Sequence, residues 1–138
     1  GNGYVRILRD SEVTREVIEN FNLVLLGSPS KNLYIKDLLP KTPAKLDAHG
    51  IELDGKHFKG TLSLAMIYPN PLNPQKMVAF LTGNSKKMER LSLYALPLYS
   101  GSGIPHYMIF DLEVKQYGWG GVRAAGFFNE QGKPEKEF

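Results

Sequence analysis

The sequence predicts a single layered α/β domain, and three observations carry that prediction. "YVRILRD" (Tyr4 to Asp10) alternates apolar and polar residues as a strand near a sheet edge does, and a stretch of helical periodicity follows it. "NLVLLG" (Asn22 to Gly27) is a continuous apolar run, the pattern of a parallel strand buried on both faces, and a capping signal follows at once. The chain therefore opens strand, helix, strand, helix, which is the signature of parallel α/β architecture. The predicted fold is a Rossmann-like or flavodoxin-like layered sandwich, with a mixed, mostly parallel sheet and a small β-hairpin insertion.

Each element has a local reason. Ser11 or Thr14 caps the first helix, whose Val13, Val17, Ile18 and Phe21 fall on one face. Ser28 is the predicted N-cap of the second helix and Pro29 its first residue, where a missing N–H leaves no bond unmade. That helix runs to about Leu39, with Pro40 and Pro43 ending it. Asp54-Gly55 between "IEL" and "KHF" predicts a tight hairpin over Ile51 to Phe58. Two apolar strands then flank a loop carrying Pro69, Pro71 and Pro74, too short for a helical crossover, so they are antiparallel neighbours and the sheet is mixed. Asn84 or Ser85 caps a helix with Met88, Leu91, Ala95 and Leu98 on one face, and Pro97 ends or bends its last turn. "SGSG" (Ser100 to Gly103) is a linker. "PHYMIFD" and "GGVRAAGFFN" are the last strands, and Ala124, Ala125 and Gly126 leave room for close packing. One domain spans residues 1–138, its ordered core about 4–130 and its tail 131–138 frayed.

Composition narrows the functional classes. The chain has 138 residues, enough for one buried core, and its hydrophobic content of 42% and charged content of 22% are those of a globular protein. Net charge is +3, but the 17 basic residues are interspersed with 14 acidic ones, so the sequence shows no basic stripe and no nucleic-acid partner is expected. There is no cysteine, which excludes a disulfide framework, a thiolate nucleophile and a Cys-based zinc site. No apolar run approaches the roughly 20 residues of a membrane span. The opening "GNGYVRIL" has no Met and enters a strand pattern at once, which reads as a fragment of a longer protein with Gly1 an expression scar.

Two strand-to-helix turns are the clearest candidates for chemistry: "GSPSKN", with Gly27, Ser28, Ser30, Lys31 and Asn32, and "TGNSKK", with Gly83, Asn84 and Ser85. Each combines a glycine, a capping side chain and a nearby lysine, so free N–H groups and the positive end of a helix dipole can converge on an anion. If their strands are parallel, both turns lie on the carboxyl edge of the sheet, where open α/β folds bind ligands. Capping explains the same residues and is the first reading, because neither turn matches G-x-G-x-x-G or a P-loop. The stiff "YPNPLNPQK" loop presents Tyr68, Asn70 and Asn73, a disposition that suits recognition as well as a hairpin that must not fray. His49, His57 and His106 have no metal-ligand spacing, and no cofactor motif occurs, so neither a metal nor a cofactor is expected. "SGSG" fails the order of a nucleophile elbow. Trp119 in "YGWGG" can stack on a sugar or a peptide, although packing over an edge is its commoner use.

"NLVLLGSPSKN", "GIELDGKHFKG" followed by "LAMIYPNPLNPQKMVAFLTGNS", and "AAGFFNE" together resemble the C-terminal α/β module of certain secreted bacterial serine hydrolases of the prolyl-oligopeptidase and esterase type. The resemblance covers about Tyr4 to Glu130, and its most specific part is the "YPNPLNP" loop with the strand after it. It implies that the catalytic residues belong to an upstream hydrolase domain of the same chain, that this segment is a noncatalytic accessory module, and that the location is secreted or periplasmic. The interaction surface then lies on the carboxyl edge of the sheet, formed by Gly27 to Asn32, Tyr68 to Asn73 and Gly83 to Ser85, and it faces that domain, a small anionic ligand or a peptide. Two other readings follow from the residues: a flavodoxin-like domain that holds a phosphate in the same turns, or a small hydrolase using Ser28 or Ser85 with one histidine.

Overall fold

The computed structural model of the chain describes residues 6–95 and 105–135. Its main sheet has five strands: β1 (Leu23–Gly27), β5 (Ser63–Asn70), β6 (Asn73–Gly83), β7 (Tyr107–Phe110) and β8 (Val122–Gly126), in the spatial order β1-β6-β5-β7-β8. A second sheet holds β2 (Ala44–Asp47), β3 (Gly50–Leu53) and β4 (Lys56–Lys59) as an antiparallel meander. Four short helices complete the fold: α1 (Arg15–Asn20), α2 (Leu33–Leu38), α3 (Lys86–Ser92) and α4 (Val114–Tyr117). Among the described residues no helix is long and apolar enough to cross a membrane.

This architecture corrects the Rossmann-like, mostly parallel reading. Only β1 and β6 pair in parallel, while β5·β6, β5·β7 and β7·β8 are all antiparallel. The physical reason lies in two places. The run from Arg6 to Arg9 forms no strand, with Ile7 93% exposed, so the opening strand of the supposed βαβα series is lost where it is described. β5 and β6 are joined by a turn of two residues, which forces an antiparallel pair. The longer connection through α3 carries the chain past β5, so that β7 takes the other edge of β5, antiparallel to it. The mixed character of the sheet and the antiparallel β5·β6 pair agree with expectation.

Caps decide where the helices begin. Thr14 accepts from the Val17 N–H at 3.4 Å and starts α1. The second helix does not start at Ser28: residues 28–31 form a turn, and Asn32 caps α2 by accepting from the N–H groups of Tyr34 and Ile35 at 2.9 and 3.2 Å. An Asn side chain satisfies two orphan donors there, which is why it displaces the Ser-Pro signal three residues upstream. The helix ends at Leu38, and a single 3-10 turn over Leu39–Lys41 accommodates Pro40. Ser85 caps α3, as expected, and Met88, Leu91 and Ala95 are buried; Leu98, Pro97 and the "SGSG" linker lie outside the described residues.

The Asp54-Gly55 hairpin forms with Leu53 opposite Lys56. Both turn residues have positive φ, 49° and 86°, the conformation that makes Asp-Gly the favoured pair in a two-residue turn. The hairpin is part of a separate three-stranded sheet, because Ala44–Asp47 adds a strand that the sequence reading missed. The proline loop is also shorter than expected: Pro69 lies in β5 and Pro74 in β6, leaving Pro71 and Leu72 as the turn.

Two apolar clusters lie on the two faces of the five-stranded sheet. Leu25, Leu64, Met66, Val78, Phe80 and Ile109 face Val17 of α1, Ile35 and Leu38 of α2, and Ile51 and Leu53 of the small sheet. Ala65, Leu81, Met108 and Phe110 point the other way and are covered by Met88 and Leu91 of α3, with Val114 of α4 at the edge. Strand alternation produces this division directly. β1 is correspondingly covered on one face only: Leu23 and Leu25 are buried, whereas Val24 and Leu26 are 55% and 49% exposed. As the outermost strand of the order it is not the doubly buried strand its composition suggested.

The C-terminal segment through Glu135 is bonded back to the rest of the fold. Phe128 bridges to Pro134, the Tyr68 hydroxyl donates to the Gly132 carbonyl at 2.9 Å, and the Phe128 N–H donates to His106 Nδ1 at 3.0 Å. Gly126 permits the close approach foreseen for this strand, since a Cβ there would come within 2.5 Å of the Tyr107 hydroxyl.

Candidate functional site

The parallel β1·β6 pair sets Gly27 beside Thr82, so the turns that follow these strands are neighbours at one edge of the sheet. Lys31 Nζ reaches Glu89 of α3 at 3.5 Å and links them. The parallel pairing meets the condition on which the sequence reading set these two turns side by side. What they do with their polar groups is now visible.

In the first turn the Ser28 and Ser30 hydroxyls bond to each other at 3.0 Å, and the N–H groups of Lys31 and Asn32 both donate to the Ser28 carbonyl, at 3.0 and 2.9 Å. Asn32 uses its Oδ1 for the cap and its Nδ2 for the Leu26 carbonyl at 3.2 Å. In the second turn Asn84 spans two strangers: its Oδ1 accepts from the Leu62 N–H at 2.8 Å and its Nδ2 donates to the Gly60 carbonyl at 2.7 Å. Ser85 accepts from the Met88 N–H at 3.2 Å. The side chains of Ser28, Ser30, Lys31, Asn32, Asn84 and Ser85 are thus all bonded within the fold.

Tyr68, Asn70 and Asn73 are not brought to this edge. They sit at the opposite end of β6, whose 11 residues span roughly 33 Å. Asn73 Nδ2 donates to the Ile18 and Glu19 carbonyls at the end of α1, at 3.2 and 3.3 Å. Asn70 is fully buried; its Oδ1 accepts from the Leu72 N–H at 2.9 Å and its Nδ2 has no partner. Burial pushes the Tyr68 phenol above its usual pKa, consistent with its hydroxyl serving as a donor. This loop shapes the hairpin and anchors the two chain segments it touches.

The serines and histidines of the hydrolase reading are engaged separately. His106 accepts from the Phe128 N–H and stacks near Phe127 and Phe128, while His57 lies 3.3 Å from Glu52. His49 sits in the turn between β2 and β3. Among the described residues no group of three His, Cys, Asp or Glu side chains is placed to hold a metal ion.

A different place in the molecule has the shape of a binding site. Between α3 and the segment Val114–Gly121 lies a cleft of about 160 Å³. Its floor is Met108 and Phe110 of β7 with Val122 of β8. One wall is Tyr94 and Ala95, the other Val114, Gly118 and Trp119. Trp119 is 65% exposed and Tyr94, on the facing wall, 55%; Tyr117, two residues before Trp119, is 61% exposed. Such a group of open aromatic rings is informative in a way that single exposed apolar residues are not.

The "GWGG" stretch explains how Trp119 is held out. It forms a 3-10 turn, Gly118–Gly121, that brings the backbone against the start of α4. A Cβ at Gly121 would stand 2.1 Å from the Val114 nitrogen, so only glycine fits that approach. The Asp111 N–H donates to the Gly121 carbonyl at 3.0 Å and locks the turn to the end of β7. Lys115 Nζ of α4 lies 5.5 Å from the centre of the Tyr94 ring, which follows the end of α3. The sequence offered Trp119 as a candidate, but nothing local indicated that Tyr94, distant in sequence, would face it. No family model, no curated protein and no solved structure matches this chain.

Proposed function

We propose that the chain is a noncatalytic binding module that accompanies a serine hydrolase domain of the same protein and docks on it through the Tyr94–Trp119 cleft. The observation that carries this reading is the pair of exposed aromatic side chains, Tyr94 and Trp119, that line an apolar cleft with a rigid backbone support. Tyr and Trp give large contact area for little lost rotamer entropy, which is why they anchor protein interfaces. The resemblance of the "YPNPLNP" region and its flanking strands to hydrolase-associated modules supplies the partner, and a secreted or periplasmic setting belongs to the same proposal. Holding a phosphate in the two turns finds less support, because the polar side chains of Ser28, Ser30, Lys31, Asn32, Asn84 and Ser85 already bond to the protein.

The test compares ester and peptide hydrolysis by the full-length parent, by the parent lacking these 138 residues, and by the segment alone. Hydrolysis confined to forms containing the upstream domain, changed by the deletion and changed in the same direction by Trp119→Ala, is the expected result. Turnover by the isolated segment would overturn the proposal.

A further inference from the structure

The dimensions and charges of the cleft define what it takes. A cavity of about 150 Å³ lined by apolar side chains accommodates one benzene-sized group, and this cleft measures about 160 Å³. Apart from the Tyr94 hydroxyl and the Trp119 indole N–H, the side chains lining it carry no hydrogen-bonding group. A sugar stacked on Trp119 would leave most of its hydroxyls without protein partners, so the chemistry selects an apolar ring or a large branched aliphatic group. Exposed apolar surface continues past the cleft at Leu93, Leu112 and Tyr117, farther than a single ring can cover. That extension favours a chain segment over a small molecule.

Charge narrows the class again. Lys115 stands over Tyr94 at the rim. On α3, which ends just before Tyr94, Lys87 and Arg90 are exposed and lie three residues apart on one side of the helix. Asp111, at the other end of the cleft, is already paired with Arg123 at 3.5 Å. The exposed charges of the segments that border the cleft, Lys87, Arg90 and Lys115 against Glu113, are therefore net positive, although the molecule as a whole carries only +3.

We infer that the cleft receives one aromatic or large aliphatic side chain from a segment of the accompanying domain, with acidic residues on either side of that anchor. The inference rests on the binding-module reading above and specifies its ligand. The anchor fills the space between Tyr94 and Trp119, and the flanking carboxylates meet Lys115, Arg90 and Lys87.

Trp119 is the only tryptophan of the chain, so its fluorescence reports this site alone. The experiment titrates the full chain with the blocked peptide Asp-Glu-Phe-Asp-Glu, with a version carrying Ala in place of Phe, and with a version flanked by lysines. The first is expected to saturate with a blue shift of the emission, and the Ala version to bind at least tenfold more weakly. The lysine-flanked peptide and the Lys115→Glu variant should each lose severalfold in affinity, and added salt should weaken the acidic peptide. Equal responses to the Phe and Ala peptides, or no response at millimolar concentration, overturn the inference. So does a free chain whose Trp119 already emits to the blue and resists acrylamide quenching, because residues 96–104 or another part of the chain would then occupy the cleft. If the peptide fails while deletion of the module still alters hydrolysis, the accessory role stands and only the cleft assignment falls. If the peptide binds and the deletion changes nothing, the cleft assignment stands and the hydrolase role falls.

Discussion

Thr82 and Asn32 show how much a residue's value depends on its bonds. Thr82 is fully buried on β6 and its hydroxyl has no partner. Burying such a group costs about 1–3 kcal/mol, so Thr82→Val, nearly isosteric, should leave stability unchanged or raise it by up to about 1 kcal/mol in urea unfolding. A loss of stability would mean that the hydroxyl bonds to a water in the fold. Asn32 is the reverse case. It accepts two N–H groups at the start of α2 and donates to Leu26, so Asn32→Ala should cost about 1–2 kcal/mol. Tyr68 adds a pH dependence. Its pKa is raised by burial, so above about pH 10 the unfolded chain releases this proton while the folded chain keeps it. Stability is thus complete below the unfolded pKa and falls as pH rises beyond it. Tyr68→Phe should lose about 1 kcal/mol at neutral pH with the Gly132 bond and show a shallower decline in alkaline thermal melts.

At the scale of elements, β1 separates composition from position. Its apolar run reads as a strand covered on both sides, yet it is the last strand of the order and only alternate residues meet the core. Leu25→Ala should therefore cost about 2–5 kcal/mol, as core truncations do. Leu26→Ala, one residue along and half exposed, should cost less than about 1 kcal/mol. Equal costs in chemical denaturation would show that the outer face of β1 is covered in solution. The hairpin at Asp54-Gly55 was legible because a two-residue turn is a local geometric demand. The strand Ala44–Asp47 was not, because four residues paired only through β3 leave no periodic signature long enough to read.

For the whole molecule, the two faces of the main sheet carry different tasks. One is sealed by α1, α2 and the small sheet into the larger apolar cluster. The other is covered by short helices that leave the aromatic cleft between them. The C-terminal segment closes the end away from the two turns, where Phe128 packs edge-on to Tyr68 with centroids 5.0 Å apart. Removing the chain from Phe127 onward should therefore destabilise by about 2 kcal/mol or more, seen as a lower melting temperature. It should leave acrylamide quenching of Trp119 unchanged, since the cleft lies among α3, α4 and β7.

The sequence by itself narrowed each of these caps to one of two residues, of which Thr14 and Ser85 serve. It determined what other local forces settle: the Asp-Gly hairpin, the antiparallel pairing across Pro71-Leu72, and the apolar face of α3. Of the face assigned to α1, Val17 is buried and Phe21 is 42% exposed. The sequence put the two candidate turns at one edge only on condition that their strands were parallel, and the β1·β6 pairing supplies that condition. Only the tertiary structure decided the sheet order, the single covered face of β1, and the separation of Tyr68 to Asn73 from that edge. It also decided the meeting of Tyr94 with Trp119. These depend on which apolar surfaces find one another across long stretches of chain. Hydrophobic burial is non-directional, so no short window of residues encodes that choice.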